Sequence, residues 1–341
     1  MPSLPAGSPA FVVADAAFAS HKARVAGFRI SEGGAPAGQL KVPLVTSVVC
    51  ITTPDTVWMV TDRRLSFGAG RRPREDGVKV MSLRTLDGLA LLGYCGLGRT
   101  GRGTEPSAWM ASTLRGVVGD MEALLSYLAS VAELELPRHL KDFPRTLLAS
   151  HSIVAPCFVG EVVQLFSIDL ALSEDRSDLS FRFTRHTRDG AASSPPPRVV
   201  LAGAGGVALS KSRVKWQRQL LNIVRAHDRD AVSAHTVADA LAAVNLRAHN
   251  SVSDDSVGPR SIVCWSYRRG GIHAGLDSHQ CYIGDTRELE TCEIPTIAMG
   301  NDVQAIGRAI AGVTISPSAE DVEALGRAIR GVSNQPDHRL R

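Results

Sequence analysis

From residue 46 onward the chain switches between two hydrophobic periods. Short β-branched or apolar runs at 47–52, 56–61, 78–83 and 88–94 are split by Pro54-Asp55, Gly68–Gly70 and Asp87-Gly88. Runs of that length bounded by turn residues predict four strands in two hairpin-like pairs. Thr104-Glu105-Pro106-Ser107 then supplies cap chemistry with proline in a first turn, and Trp109, Met110, Leu114, Met121, Leu125 and Leu128 recur at helical spacing. One long helix or two in series is predicted there, with a further helix at 137–150. The period returns to two at 152–159, 161–170, 179–186 and 198–202, and to a helical one at 207–227 and 233–249, where Val237, Leu241 and Val244 share a face. Strands at 261–268 and 272–283 close the pattern.

The predicted order of four strands, two helices, four strands, two helices and two strands suggests two sheets between helical layers, and differs from the strict βαβ alternation of a doubly wound fold. Residues 1–43 are rich in Ala, Gly, Pro and Ser without a sustained period, so 1–45 reads as an extension or propeptide ahead of a domain at 46–284. Beyond it, 285–341 reads as a C-terminal helical extension. It carries a short echo, Ile306-Gly307-Arg308-Ala309-Ile310 against Leu325-Gly326-Arg327-Ala328-Ile329, which two amphipathic helices explain better than a repeat architecture does.

Composition narrows the function classes. With 44% hydrophobic and 21% charged residues in 341, the chain is ordinary for a globular protein. No apolar stretch approaches the ~18–20 residues that span a bilayer, and the alanine-rich stretch at 10–20 follows no basic region, so a soluble, cytoplasmic protein without membrane contact is expected. The six cysteines form no C-x-x-C pair and the ten histidines no H-x-x-x-H spacing, so neither a metal nor another cofactor is expected. A net charge of +4 with 5% aromatics lacks the basic stripe and stacking residues of a nucleic-acid binder.

The chemistry is concentrated at Thr46-Ser47-Val48-Val49-Cys50-Ile51, followed by Thr61-Asp62-Arg63-Arg64 and then Lys79. A threonine hydroxyl is a poor nucleophile until a base takes its proton. A threonine at a freshly cut amino terminus carries that base itself, because an α-amine titrates near ~7.7–8.0. Cleavage of Val45–Thr46 is therefore the event on which activity turns. In this reading Lys79 supplies positive charge beside the hydroxyl and Asp62 holds the ammonium by a charge-assisted bond.

Together with the strand and helix order, these residues resemble the proteasome β-subunit family and its simpler bacterial relatives among the N-terminal-nucleophile (Ntn) hydrolases, over about Thr46 to Ile283. Thr46 falls where that family places its nucleophile, Asp62 follows at the family's spacing with Arg64 as support, and Lys79 lies one position later than the family's lysine. Gly93 matches the glycine whose N–H faces the developing oxyanion. Leu201-Ala202-Gly203-Ala204-Gly205-Gly206 resembles the family's glycine-rich turn, and Asn250-Ser251-Val252-Ser253 its D-x-x-S segment. The resemblance implies an α+β fold, a four-layer αββα sandwich, in which Thr46, Asp62, Lys79, Gly93 and Ser253 are catalytic and Arg64, Asn250 and Ala204 supporting. Peptide or amide substrates are implied, as are homo-oligomeric assembly and an axial partner protein.

The chain also departs from that pattern. Val45 stands in place of glycine ahead of the nucleophile, Ala204 in place of a supporting serine and Asn250 in place of a supporting aspartate. Attack of the Thr46 hydroxyl on the preceding carbonyl needs a tight turn that β-branched valine resists. Two functions are therefore carried forward. One is a threonine-type peptidase or amidohydrolase that loses residues 1–45; the other is a non-catalytic structural or binding subunit that keeps them.

Overall fold

The computed structural model describes residues 12–15, 46–65, 73–96, 98, 105–140, 151–172, 179–186, 197–210, 213–252, 256–268, 280–284 and 293–312. Two sheets and six helices are present among them, a mixed α+β fold. The first sheet takes its strands in the order β1 (Val12–Asp15), β9 (Arg198–Ala202), β2 (Ser47–Thr52), β3 (Thr56–Asp62), β10 (Ser261–Tyr267), β11 (Gln280–Gly284). The second runs β13 (Asn301–Asp302), β12 (Thr296–Ala298), β4 (Val80–Arg84), β5 (Gly88–Cys95), β6 (Ser152–Val159), β7 (Val162–Leu172), β8 (Leu179–Arg185).

Every residue of β2 and β3 is buried, which is why their sequences read as continuous apolar runs: both faces of the sheet are covered. Val48 and Cys50 of β2 pack with Leu91, Val154 and Phe158 of the other sheet. Val49 and Ile51, on the alternate face, pack instead with residues of the helices α3 (Gly203–Ser210), α4 (Arg213–His227) and α5 (Ala234–Ser251), among them Leu209, Trp216 and Leu241. The opposite side of the second sheet is covered by α1 (Pro106–Leu114) and α2 (Met121–Leu140), with Trp109, Met110, Leu125 and Leu128 against Met81, Leu83 and Leu92. Trp58 and Trp265, cross-strand partners on β3 and β10, stack with ring centroids 5.0 Å apart.

Several details depart from the sequence pattern. Of the two alternatives for 106–128, one long helix or two in series, the structure has two in series: Gly116 takes a positive φ of 79° just after α1 and its N–H donates to Gly300 O. Pro137 does not open a new helix but lies inside α2, close to its C-terminal end. Residues 141–150 of that expected helix lie outside the described residues. The glycine-rich turn is itself helical: a side chain on Gly205 would run into Ser47 Oγ, so α3 approaches β2 closely only because residue 205 lacks one. Val12–Asp15, within the aperiodic extension, pairs with β9 and extends the first sheet. In the tail, Ile297 is fully buried and β12 runs parallel to β4, with helix α6 (Val303–Gly312) following. The first copy of the tail echo falls in α6 and the second lies outside the described residues.

His151, just ahead of β6, is 3% exposed and shares a 2.9 Å hydrogen bond between Nδ1 and Tyr94 Oη. Burial lowers its imidazole from 6.5 to about 4, so the folded chain prefers the neutral ring. That preference stabilises the fold fully above the unfolded value, erodes as pH falls below 6.5, and is gone below about 4. The expected loss is on the order of 3 kcal/mol. Urea unfolding of wild type and His151→Phe between pH 7 and 4 checks this: the wild-type stability should fall more steeply, and parallel curves would count against it.

Candidate active site

Thr46, Asp62 and Lys79 are brought together from the start of β2, the end of β3 and the residue preceding β4, and none of the three has measurable exposure. Lys79 Nζ donates to Thr46 Oγ1 at 2.9 Å and to Asp62 Oδ2 at 2.9 Å. The carboxylate also accepts from backbone: Ser47 N–H donates to Oδ1 at 2.8 Å, and Arg64 N–H and Gly258 N–H to Oδ2 at 3.1 and 3.2 Å. An ion pair removed from water in this way is a costly means of gaining stability, and apolar residues of the same volume would serve a core at least as well. Its value lies in what it holds, which is an ammonium pointed at a threonine hydroxyl.

Thr46 is fixed on every side. Its N–H donates to Ser256 O at 3.1 Å and its carbonyl accepts from Gly205 N–H at 3.4 Å. Its φ is +82°, the left-handed region, where a β-branched residue is an outlier. Such a conformation costs on the order of 1–3 kcal/mol and persists only where the surroundings over-determine it. Val45, on the other side of this bond, lies outside the described residues.

The remaining expected site residues divide. Arg64 supports Asp62 through its backbone N–H, while its guanidinium pairs with Glu75. Ala204 is buried in α3 among the apolar residues of that layer. Asn250 is exposed in the last turn of α5. Ser253 lies outside the described residues. Gly93 is corrected. Tyr94 N–H donates to Lys79 O across the β4–β5 ladder, and successive N–H groups of a strand point to opposite sides. The Gly93 N–H is thereby turned towards its partner Val154 on β6, and a side chain there would collide with Met59 Sδ. Gly93 is a packing glycine that lets the two sheets approach.

What sequence reasoning missed is the segment 256–258. Ser256 O and Gly258 N–H are the groups that actually engage Thr46 and Asp62. Asn245, fully buried, holds that segment by donating from Nδ2 to Gly258 O at 3.1 Å. The available signal was a polar residue four positions after Leu241 and three before Ala248, on the buried face of α5. Among the described residues no three His, Cys, Asp or Glu side chains are grouped as a metal site would require.

No family model and no curated protein matches the chain. It is similar to solved structures of Anbu, the ancestral beta-subunit. The protein from Yersinia bercovieri aligns at 12% identity with a TM-score of 0.43, covering 70% of this chain and 88% of that one. Anbu from Hyphomicrobium sp. strain MC1 aligns at 12% identity and TM-score 0.39, covering 65% and 82%. A structure described as a helical assembly of the Anbu complex from Pseudomonas aeruginosa aligns at 12% identity and TM-score 0.38, covering 64% and 80%. The assignment to the proteasome β-subunit family is corrected by these findings: the neighbours are Anbu proteins, proteasome-like in name but a distinct family. At such identities and scores nothing about this chain's chemistry passes from them.

A lysine outside the apolar clusters is ordinarily dispensable to folding. The burial of Lys79 against Asp62 reverses that. Removing either partner strands a charge in the interior, so Lys79→Ala and Asp62→Ala should each cost about 3–5 kcal/mol, and the double variant much less than their sum. Urea denaturation of the four proteins measures the coupling; strict additivity would mean the pair is not a unit.

Proposed function

We propose that the chain is a threonine-type amide hydrolase, a peptidase or amidohydrolase whose nucleophile is Thr46 after cleavage of Val45–Thr46. The observation that carries this reading is the Lys79 ammonium, fully buried and shared between Thr46 Oγ1 and Asp62 Oδ2. An ammonium donating to the hydroxyl oxygen favours the alkoxide that must form when that oxygen attacks a carbonyl. In the cut itself, Oγ1 adds to the Val45 carbonyl, the Val45–Thr46 C–N bond breaks with a proton passing to the departing nitrogen, and water hydrolyses the resulting ester. The left-handed Thr46 conformation supports this step, since relief of strain favours leaving the intact state. The freed α-amine then serves as the base for substrate turnover.

An oxyanion donor is needed beside the nucleophile, and in this proposal it is Gly96. Gly96 directly follows β5, two residues after Tyr94, whose N–H pairs with the Lys79 carbonyl. We extend the proposal to the stacking order: the three apolar clusters fit a four-layer αββα arrangement with the site at one end of the inter-sheet layer.

A second reading, a non-catalytic structural or binding subunit that keeps residues 1–45, is favoured by the complete burial of Thr46 and by the pairing of Val12–Asp15 with β9. Intact mass and N-terminal sequencing of the purified protein decide between them. The hydrolase should start at Thr46, its Thr46→Ala variant should stay full length, and Val45→Gly should be cut faster. Wild type that stays intact after long incubation would end the catalytic reading. On a panel of fluorogenic peptides and amides, Lys79→Arg should not restore turnover, because a guanidinium keeps the charge but not the geometry.

Homo-oligomerisation also belongs to the proposal. Trp109, Met110, Leu114, Met121, Leu124, Leu125 and Leu128 are buried within the chain, whereas Val118 is exposed. Tyr127 and Leu134, seven positions apart on α2, are left 36% and 70% exposed and lie on one helix face. Light scattering at micromolar concentration should show more than one copy per particle, and Leu134→Glu should lower the mass; a monomeric wild type would contradict it.

A further inference from the structure

A second group of polar side chains lies on the face of the second sheet that meets the first. Ser152 of β6, and Ser167 and Asp169 of β7, share that face with Val154, Val163 and Leu165, since alternate residues of a strand point the same way. Both serine hydroxyls donate to the Asp169 carboxylate, Ser152 Oγ to Oδ1 at 2.6 Å and Ser167 Oγ to Oδ2 at 2.5 Å. Ser167 Oγ also lies 2.7 Å from His186 Nε2. With the single hydroxyl proton directed at Asp169, the ring nitrogen is the donor in that second contact.

Two hydroxyls orient the carboxylate without cancelling its charge, and no lysine or arginine among the described residues forms an ion pair with it. Ser167 is fully enclosed and Ser152 is 5% exposed, whereas Asp169 is half-buried. The carboxylate is thus held by two hydroxyls and stays partly exposed, with Arg182, its register partner on β8, on the same face of the sheet but not in an ion pair with it among the described residues. Each of its oxygens has accepted one hydrogen bond and has capacity for another.

Its position ties it to the nucleophile. Asp169, Ser152 and Cys95 are register partners across β7, β6 and β5, and Cys95 follows Tyr94, the partner of Lys79. With strands ~4.8 Å apart, the row spans roughly 10 Å from Asp169 to Cys95. The buried Cys95 thiol is raised by its burial first, and it also feels Lys79, which lowers it, and Asp62 and Asp169, which raise it. One side chain therefore senses both the Thr46 site and Asp169.

We propose that Asp169, oriented by Ser152 and Ser167, is a substrate subsite for a cationic group, and specifically for the guanidinium of an arginine-like amide bound at Thr46. This rests on the reading of Thr46 as the nucleophile. A planar guanidinium matches the two open acceptor positions of a carboxylate in a fork, and it is more weakly hydrated than an ammonium, so less is lost on entering a half-buried site.

The test compares arginine amide with citrulline amide, which differ only in replacing guanidinium by neutral urea. Binding of each to the purified chain, wild type and Asp169→Asn, is measured by calorimetry, and turnover by kcat/KM for the matching coumarin amides. Arginine amide should bind roughly tenfold to a hundredfold more tightly, Asp169→Asn should close that gap, and kcat/KM should follow the same ratio. Equal binding of the two amides, or a gap that survives Asp169→Asn, overturns the proposal. A gap that depends on Asp169 in a protein that hydrolyses neither coumarin amide upholds the cation site and overturns the Thr46 reading instead.

Discussion

The hydrogen bond from the buried Lys79 ammonium to Thr46 Oγ1, with Asp62 as its counter-charge, is the interaction on which the arrangement of this molecule depends. A charge inside a protein must be matched, and the match here reaches through three strands and a loop. Asp62 draws in the N–H groups of Ser47, Arg64 and Gly258, so the start of β2, the end of β3 and the approach to β10 are fixed against one carboxylate. Asn245 extends the same constraint into α5 by holding Gly258. The hydrophobic clusters supply the bulk of the driving force, and this polar knot decides where the strand ends meet.

Much of the fold could be read from periodicity, because most of its strands are short, buried runs punctuated by turn residues; 152–159 and 198–202 end where the pattern says they end. The misreadings share a cause. Pro137 and the Gly203–Gly206 run carry strong local signals for breaking a helix, and both sit inside helices. For the glycines close approach to β2 overrode propensity; Pro137 lies in the last turns of α2, where few residues remain to be hydrogen-bonded beyond it. The Val12–Asp15 strand had no period to betray it, since four residues pairing with a sheet edge need only an open row of backbone groups.

Legibility of the site follows a similar division. Thr46, Asp62 and Lys79 carry side-chain chemistry, and the structure brings all three together. Groups that act through backbone were beyond the reach of side-chain motifs: Ser256 contributes a carbonyl and Gly258 an amide. Gly93 illustrates the converse error. A glycine in a suggestive spacing was assigned a donor role, yet the direction of its N–H is set by strand alternation, which register determines and a linear motif does not encode.

Burial and strain at Thr46 pull the functional argument in opposite directions, and their origin explains why. Burial comes from the same contacts that fix the residue, with Ser256 taking its N–H and Gly205 donating to its carbonyl. Those contacts hold Thr46 at a φ of +82° that it would not adopt alone. A hydroxyl so confined cannot meet an external substrate. Under the proposed hydrolase reading the intact chain would be a precursor, and cleavage before Thr46 would remove the backbone torsion that holds the strain. The Lys79–Asp62 pair would then hold a hydroxyl beside a free amine.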